Sequence, residues 1–132
     1  MTGSSKGRRR GIVIVEDEST VSDSLKMVLE LRGYKTWVAD TGPTGLDMLR
    51  RFKPDLLVLD LVLPGMDGLS VLEKIREDDR LRKIPVIIIT VVTQDSNLPD
   101  GFWQKAVGTS AFVTKPFDPF KVADKIDAIL AE

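Results

Sequence analysis

The sequence predicts a doubly wound α/β domain, five parallel strands with five helices on the two faces of the sheet, and three observations carry that reading. Five short apolar runs alternate with segments of helical periodicity, the pattern of parallel strands joined by right-handed crossovers. Most of these runs are apolar throughout, as strands covered on both faces are, rather than alternating with polar residues. A chain of 132 residues with 42% hydrophobic content makes one domain with a sizeable core.

Residues 1–10 read as a flexible basic tail and residues 11–132 as the domain. Ile12 to Val15 form the first strand, which runs into Glu16, Asp17 and Glu18. Val21, Leu25, Val28 and Leu29 recur at helical spacing, with Ser19 or Thr20 to cap the start and Gly33 in the left-handed position past the end. Tyr34 to Ala39 is a second strand, and Lys35 and Thr36 make it polar enough for a sheet edge. Thr41-Gly42-Pro43 opens a second helix with Leu46, Leu49 and Phe52 facing inward.

The third strand, Leu56 to Asp60, is the centre of the pattern. It ends on a carboxylate, and the chain then breaks at Pro64, Gly65 and Gly68. Ligands of open α/β sheets bind at the carboxyl ends of the strands, so Asp60 is a site candidate; an Asp capping the following turn explains it equally well. Leu69, Leu72 and Ile75 mark a third helix that runs into the charged Glu77 to Arg80, read as a solvated helix end. Ile84 to Thr90 is a fourth strand with Pro85 at its tolerant first position, ending on a hydroxyl. Asn97, Pro99 and Gly101 then leave only Phe102 to Val107 for a short fourth helix. Ala111 to Thr114 is the fifth strand, followed by Lys115-Pro116-Phe117. Asp118 and Pro119 start the last helix, with Phe117 and Val122 as a hydrophobic staple and Val122, Ile126, Ile129 and Leu130 as its stripe.

Composition narrows the chemistry. The net charge is −1, and because Lys6, Arg8, Arg9 and Arg10 carry four positive charges in the tail, the domain itself is mildly acidic, which does not suggest a nucleic-acid surface. No cysteine and no histidine means no disulfide, no thiol or histidine catalysis and no ordinary zinc site. Any metal must be held by oxygen, which favours Mg²⁺, Ca²⁺ or Mn²⁺. No apolar run approaches the roughly 18 residues of a membrane span, and the N-terminus has no apolar signal segment, so a cytoplasmic protein is expected.

A parallel sheet brings Glu16, Asp17, Asp60, Thr90 and Lys115 to one edge. Clustered carboxylates repel one another unless a cation neutralises them, which points to Mg²⁺, and Lys115 adds a positive charge suited to a phosphoryl oxygen.

At this point the chain resembles the receiver domain of two-component response regulators, a chemotaxis-type, flavodoxin-like fold with strand order 2-1-3-4-5. The resemblance runs from Ile12 to Leu130 and rests on Ile14-Val15-Glu16-Asp17-Glu18, Pro54 to Asp60, Leu63-Pro64-Gly65-Met66-Asp67-Gly68, Ile84-Pro85-Val86-Ile87 and Val113-Thr114-Lys115-Pro116-Phe117. It implies that Asp60 accepts a phosphoryl group, with Thr90 and Lys115 binding the phosphoryl oxygens. It implies that Asp17, Asp60 and the backbone carbonyl of Val62 ligate Mg²⁺, Mn²⁺ being an alternative, with Glu16 acting through water. It also implies a cis Lys115-Pro116 bond and a switch in which Thr90 moves inward and Phe112 rotates, altering the face of the fourth helix, fifth strand and last helix.

The partners so implied are a sensor histidine kinase or phosphotransfer protein and a downstream target protein. No DNA-binding domain is expected, nor membrane association, nor any catalysis beyond the domain's own aspartyl phosphorylation and dephosphorylation. A homodimer through the fourth-helix side is a common habit of such domains. Other readings are a receiver-like docking module that needs no phosphorylation, a flavin or nucleotide binder of the same fold, and an aspartyl-phosphate phosphatase. The last two lack their phosphate loop and paired acids after strand one.

Three departures from the family pattern carry expectations. Val91 stands where Ala or Gly is usual, and Val62 and Val92 are apolar where polar groups are common, so slower phosphorylation by small donors or slower hydrolysis is expected. The stretch from Thr90 to Gly108 is about three residues long for the family, with a shortened fourth helix. Its adjacent Phe102 and Trp103 cannot share one helix face, which leaves one of them for a partner surface together with Phe112. Phe112, lacking a hydroxyl, can act by packing alone.

Overall fold

The computed structural model describes residues 9–63, 65–91 and 109–131. Within them lie β1 (Gly11–Val15), α1 (Ser19–Leu31), β2 (Lys35–Ala39), α2 (Gly42–Phe52), β3 (Leu56–Asp60), α3 (Gly68–Glu77), β4 (Val86–Thr90), β5 (Ala111–Thr114) and α4 (Pro119–Leu130). All strand pairs are parallel, in the order β2-β1-β3-β4-β5, which is the flavodoxin-like arrangement. Four helices are present among the described residues; the short helix expected over Phe102 to Val107 lies outside them, as do Phe102, Trp103, Val92, Pro64 and the tail cations Lys6 and Arg8.

The unbroken apolar strands are buried on both faces because alternate residues serve different layers. Val13, Val15, Leu57, Leu59 and Ile88 pack under α2 and α3, against Leu46, Leu49, Leu72 and Ile75. Ile12, Ile14, Val58, Ile87 and Ile89 pack under α1 and α4, against Leu25, Leu29, Val122 and Ile126. β2 is the half-exposed edge, as its polar residues require. Arg32 and Tyr34 both bond Asp127, at 2.6 and 2.5 Å, and so tie the end of α1 to α4.

Several helix starts follow local chemistry. Thr41 accepts from the Thr44 N–H at 3.3 Å, Asp118 from the Phe120 N–H at 2.9 Å, and Gly33 has φ +92° just past α1. Four details differ from the sequence reading. The cap of α1 is Glu18 rather than Ser19 or Thr20, and it makes no side-chain capping bond because its carboxylate is drawn to Lys115. Asp67, read as part of a loop, caps α3 through the Ser70 N–H at 2.8 Å. Phe52 is not in the core: it is 37% exposed and stacks on Trp37 with ring centroids 4.6 Å apart. Asp78 is not a solvated charge but turns back to accept the Arg80 N–H at 2.9 Å; that bond, with the Arg80 guanidinium, holds its carboxyl below the usual range.

Gly68 locks the β3–α3 connection under Asp60. Its N–H donates to the Leu61 carbonyl at 2.8 Å, and a Cβ added here would meet the Asp60 carbonyl oxygen at 2.5 Å and Leu61 Cα at 2.6 Å. Backbone atoms cannot step aside as a flexible side chain can. Gly68→Ala is therefore expected to cost about 1–3 kcal/mol of stability, the range for overpacking. Denaturant unfolding of the two proteins at equal slope checks this.

Candidate functional site

The strand ends meet at one edge of the sheet. Backbone bonds fix each carrier there: Glu16 N–H to the Ala39 carbonyl at 2.9 Å, Leu61 N–H to Ile89 at 3.2 Å and Lys115 N–H to Thr90 at 2.9 Å. Because each residue continues a strand instead of sitting in a long loop, the side chains converge with little freedom.

Glu16, Asp60 and Thr90 are buried, whereas Asp17 is exposed at the mouth. One carboxylate oxygen from each of Glu16, Asp17 and Asp60 lies within 4.8 Å of the others. The Lys115 ammonium reaches into this group, 3.0 Å from Asp60 Oδ2, 2.8 Å from Glu16 Oε1 and 2.7 Å from Glu18 Oε1. The other Asp60 oxygen accepts the Val62 N–H at 3.1 Å, so the turn-capping role and the site role belong to the same carboxylate.

The electrostatics are those of too many acids for one cation. Burial pushes the Glu16 carboxyl up to about 7; the Lys115 ammonium pulls against this, and the neighbouring Asp60 adds to it. For Lys115 burial alone would favour the neutral amine, but the bonds to Glu16, Glu18 and Asp60 outweigh it and raise its pKa, so the ammonium is permanent near neutrality. Glu16 Oε1 is buried, and its one charged partner is the Lys115 ammonium 2.8 Å away, which it shares with Glu18 and Asp60. Three carboxylates whose oxygens converge within 4.8 Å, with a single ammonium to balance them, are an all-oxygen donor set that fits a hard divalent cation such as Mg²⁺.

The remaining sequence candidates are placed as follows. Thr90 ends β4 with its side chain buried, one residue past Ile89, the register partner of Asp60. Phe112 lies on the same side of the sheet as Thr90, two residue pairs earlier in the β4–β5 register, and is 38% exposed. The Lys115-Pro116 bond is cis. Val62 and Val91 stand at the mouth, 71% and 52% exposed. Phe102 and Trp103 lie outside the described residues. Sequence reasoning gave no role to Glu18: three adjacent acids were visible, but not which of them would turn toward Lys115.

No described helix is long and apolar enough to cross a membrane. Among curated proteins, PilH of Pseudomonas aeruginosa is 34% identical over 120 residues, covering 91% of this chain and 97% of PilH. The DNA-binding dual master transcriptional regulator RpaA of Synechocystis is also 34% identical, covering 90% of this chain but 48% of its own. The chain thus spans about half the length of the DNA-binding regulators it matches.

Among solved structures, the CheY-like response regulator receiver domain protein of Methanospirillum hungatei superposes with a TM-score of 0.80 at 29% identity, covering 92% of this chain and 94% of the other. The receiver domain of a Pseudomonas aeruginosa sensor histidine kinase, with a magnesium ion coordinated in its active-site cleft, has the same fold, with a TM-score of 0.79 at 22% identity and coverage of 91% and 96%. The family model of the response regulator receiver domain matches residues 12–127, and the chain belongs to that family.

Proposed function

We propose that this domain accepts a phosphoryl group on Asp60 in a Mg²⁺-dependent reaction and passes the signal on through the surface that includes β5 and α4. The observation that carries the reading is the environment of Asp60: a buried carboxylate whose Oδ2 is 3.0 Å from an ammonium, with Glu16 and Asp17 beside it. The Asp60 carboxylate attacks phosphorus in line, forming an acyl phosphate; the bond from phosphorus to the donor's nitrogen or oxygen breaks, and the leaving group departs with that electron pair. Lys115 binds a phosphoryl oxygen, and the Thr90 hydroxyl, at the adjacent strand end, donates to another. Glu16, Asp17 and Asp60, with the Val62 carbonyl, are the residues that would hold the metal. Bound there, Mg²⁺ or Mn²⁺ supplies neutralisation of the charge shared by carboxylate and phosphoryl group.

The donor on this reading is a sensor histidine kinase or phosphotransfer protein in the cytoplasm, and the domain turns over nothing but its own acyl phosphate. Thr90 and Phe112, on one side of the sheet, are suited to relay the change: Thr90 is drawn to the new oxygens and Phe112 repacks. The apolar Val62 and Val91 at the mouth offer no group to orient an attacking water, which favours a long-lived acyl phosphate.

Glu18 gives this reading a specific consequence. Its exposed carboxylate competes with Asp60 for Lys115 and places negative charge at the entrance. Glu18→Gln is expected to raise the rate of uptake from acetyl phosphate several-fold, as the ammonium is released toward the incoming anion. Stopped-flow rates over a range of ionic strength check it, the gain shrinking as salt rises.

The test of the proposal is intact mass after incubation with acetyl phosphate or with a phosphorylated histidine-kinase domain, with Mg²⁺ and with EDTA. Gain of one phosphoryl group that requires Mg²⁺ supports it. No gain from either donor overturns it in favour of a docking module that needs no phosphorylation.

A further inference from the structure

The end of the sheet opposite Asp60 carries the opposite charge. In the order β2-β1-β3-β4 each strand start brings an exposed cation: Lys35 opens β2, Arg9 and Arg10 precede β1, Lys53 precedes β3 and Lys83 precedes β4. Neighbouring strands lie about 4.8 Å apart, so the four starts set these cations in a row roughly 14 Å long. Lys35 is the register partner of Gly11, and Arg9, Lys35 and Lys53 line one cleft of about 520 Å³ that shares no residue with the acidic site. Carboxylates stand at the other ends of the strands, as Glu16, Asp17, Asp40 and Asp60. The net charge of −1 averages over the two poles and hides both.

Local structure leaves this row unused. Among the described residues no carboxylate is within ion-pair distance of Arg9, Lys35, Lys53 or Lys83. Nearby acids have other partners: Asp55 accepts the Gly11 N–H at 2.7 Å, and Asp79 pairs with Arg82 at 2.9 Å. The helix dipole accounts for Arg50 and Arg51 in the last turn of α2, but Arg9, Lys35 and Lys83 belong to strand starts. Lys53 holds φ +47°, a left-handed conformation for which glycine is the ordinary choice past a helix end. A strained backbone that keeps an exposed cation is an outlier from which function is inferred. Arg9 and Arg10 also continue Lys6-Gly7-Arg8, so the row joins the basic tail.

We infer that this pole binds the phosphate backbone of a single-stranded nucleic acid without reading its bases. The aromatic residues of the cleft are closed to stacking. Trp37 and Phe52 cover each other at 4.6 Å between centroids, with the Lys35 ammonium 5.3 Å from the Trp37 ring and the Arg51 guanidinium 5.4 Å from that of Phe52. A row of charge without an apolar anchor suits a partner recognised by its regularly repeated phosphates. An anionic membrane fits less well, because interfacial binding draws on inserted apolar groups. A single strand can bend to follow the row, whereas a duplex, stiff over about 150 base pairs, meets it at fewer phosphates.

The test is fluorescence anisotropy of the full chain with a labelled oligothymidylate of about 20 nucleotides, long enough for one site. It is run in EDTA, since Mg²⁺ competes for phosphates, with salt raised from about 50 to about 200 mM. Each phosphate contact on a single strand contributes about −0.7 to the slope of log K against log salt, so four cations predict a slope of about −3 or steeper and a loss of at least about 50-fold over that range. Lys35→Gln, Lys53→Gln and Lys83→Gln combined are expected to weaken binding at least tenfold at the lower salt and to flatten the slope by about 2, while phosphoryl uptake from acetyl phosphate holds. Lys53→Gly alone relieves the strained backbone, so its loss of about 0.7 in slope comes with a melting temperature that holds or rises, separating charge from fold. Absence of binding, a slope shallower than about −1, or a triple variant that binds like the natural sequence overturns the inference, the last by leaving the tail to act alone. Tenfold tighter binding to the corresponding duplex, or to vesicles of phosphatidylserine and phosphatidylcholine, overturns it as well and assigns the pole to that partner.

Discussion

Replacing Asp60 with asparagine is expected to abolish phosphoryl uptake from every donor while leaving the domain folded. The amide oxygen can still accept the Val62 N–H that the carboxylate holds at 3.1 Å, and the side chain is nearly the same size, so β3 and its turn keep their packing. What disappears is the nucleophile, because an amide oxygen does not form a stable acyl phosphate. The charge balance changes as well. Asp60 is one of the groups that push the Glu16 carboxyl upward, so in the variant Glu16 sheds part of that load and Lys115 is shared between Glu16 and Glu18 alone. Affinity for Mg²⁺ is expected to fall, since one of three converging carboxylates is gone. Intact mass and calorimetric metal titration read the two effects separately. Phosphoryl gain in Asp60→Asn equal to that of the natural sequence would move the acceptor elsewhere.

The second large effect is at Lys115. Lys115→Met keeps much of the aliphatic stem but removes the ammonium from within 3.0 Å of three carboxylates, two of them buried. Loss of one partner from a buried ion pair costs about 3–5 kcal/mol when the remaining charge is left uncompensated. The expected loss lies toward the lower end, because Glu16, with its carboxyl already raised to about 7, takes up a proton instead of staying ionised. Millimolar Mg²⁺ is expected to restore much of this stability by binding the freed carboxylates more tightly than in the natural sequence. Melting temperatures with Mg²⁺ and with EDTA show it as a larger metal-induced rise in the variant. Phosphoryl uptake is expected to slow by about 10²–10³-fold, the usual cost of removing one preorganised group that stabilises developing charge. A Lys115→Met protein that takes up phosphoryl groups at the natural rate would assign Lys115 a purely structural part.

Much of this was legible in the sequence because it is local. Leu56 to Asp60 shows a buried strand and its terminal acid in five consecutive residues, and Thr41, Asp118 and Gly33 are capping residues that need only their neighbours. The strand ends could be assembled into one site because a parallel sheet puts all its carboxyl ends on one side, whatever the details of packing. Features that depend on which way a side chain turns were not legible. Glu18 in the triplet Glu16-Asp17-Glu18 gives up its capping role for a lysine far along the chain, and Asp78 in a run of charges turns back on its own backbone. The Trp37–Phe52 stack joins an edge strand to the last residue of a helix, and helical periodicity alone had turned Phe52 inward. Gly68 looked like a loop breaker, whereas its demand is the closeness of the Asp60 and Leu61 backbone.

The most direct test of the central claim is chemical trapping of the acyl phosphate. The full chain is incubated with Mg²⁺ and a phosphodonor, reduced with borohydride, which converts an aspartyl phosphate to homoserine, and mapped by peptide mass. The expected result is homoserine at position 60 alone, appearing with Mg²⁺ and not with EDTA. Homoserine at Asp17 or another acid, or none despite a gain of phosphoryl mass, would contradict the assignment of Asp60 as the acceptor.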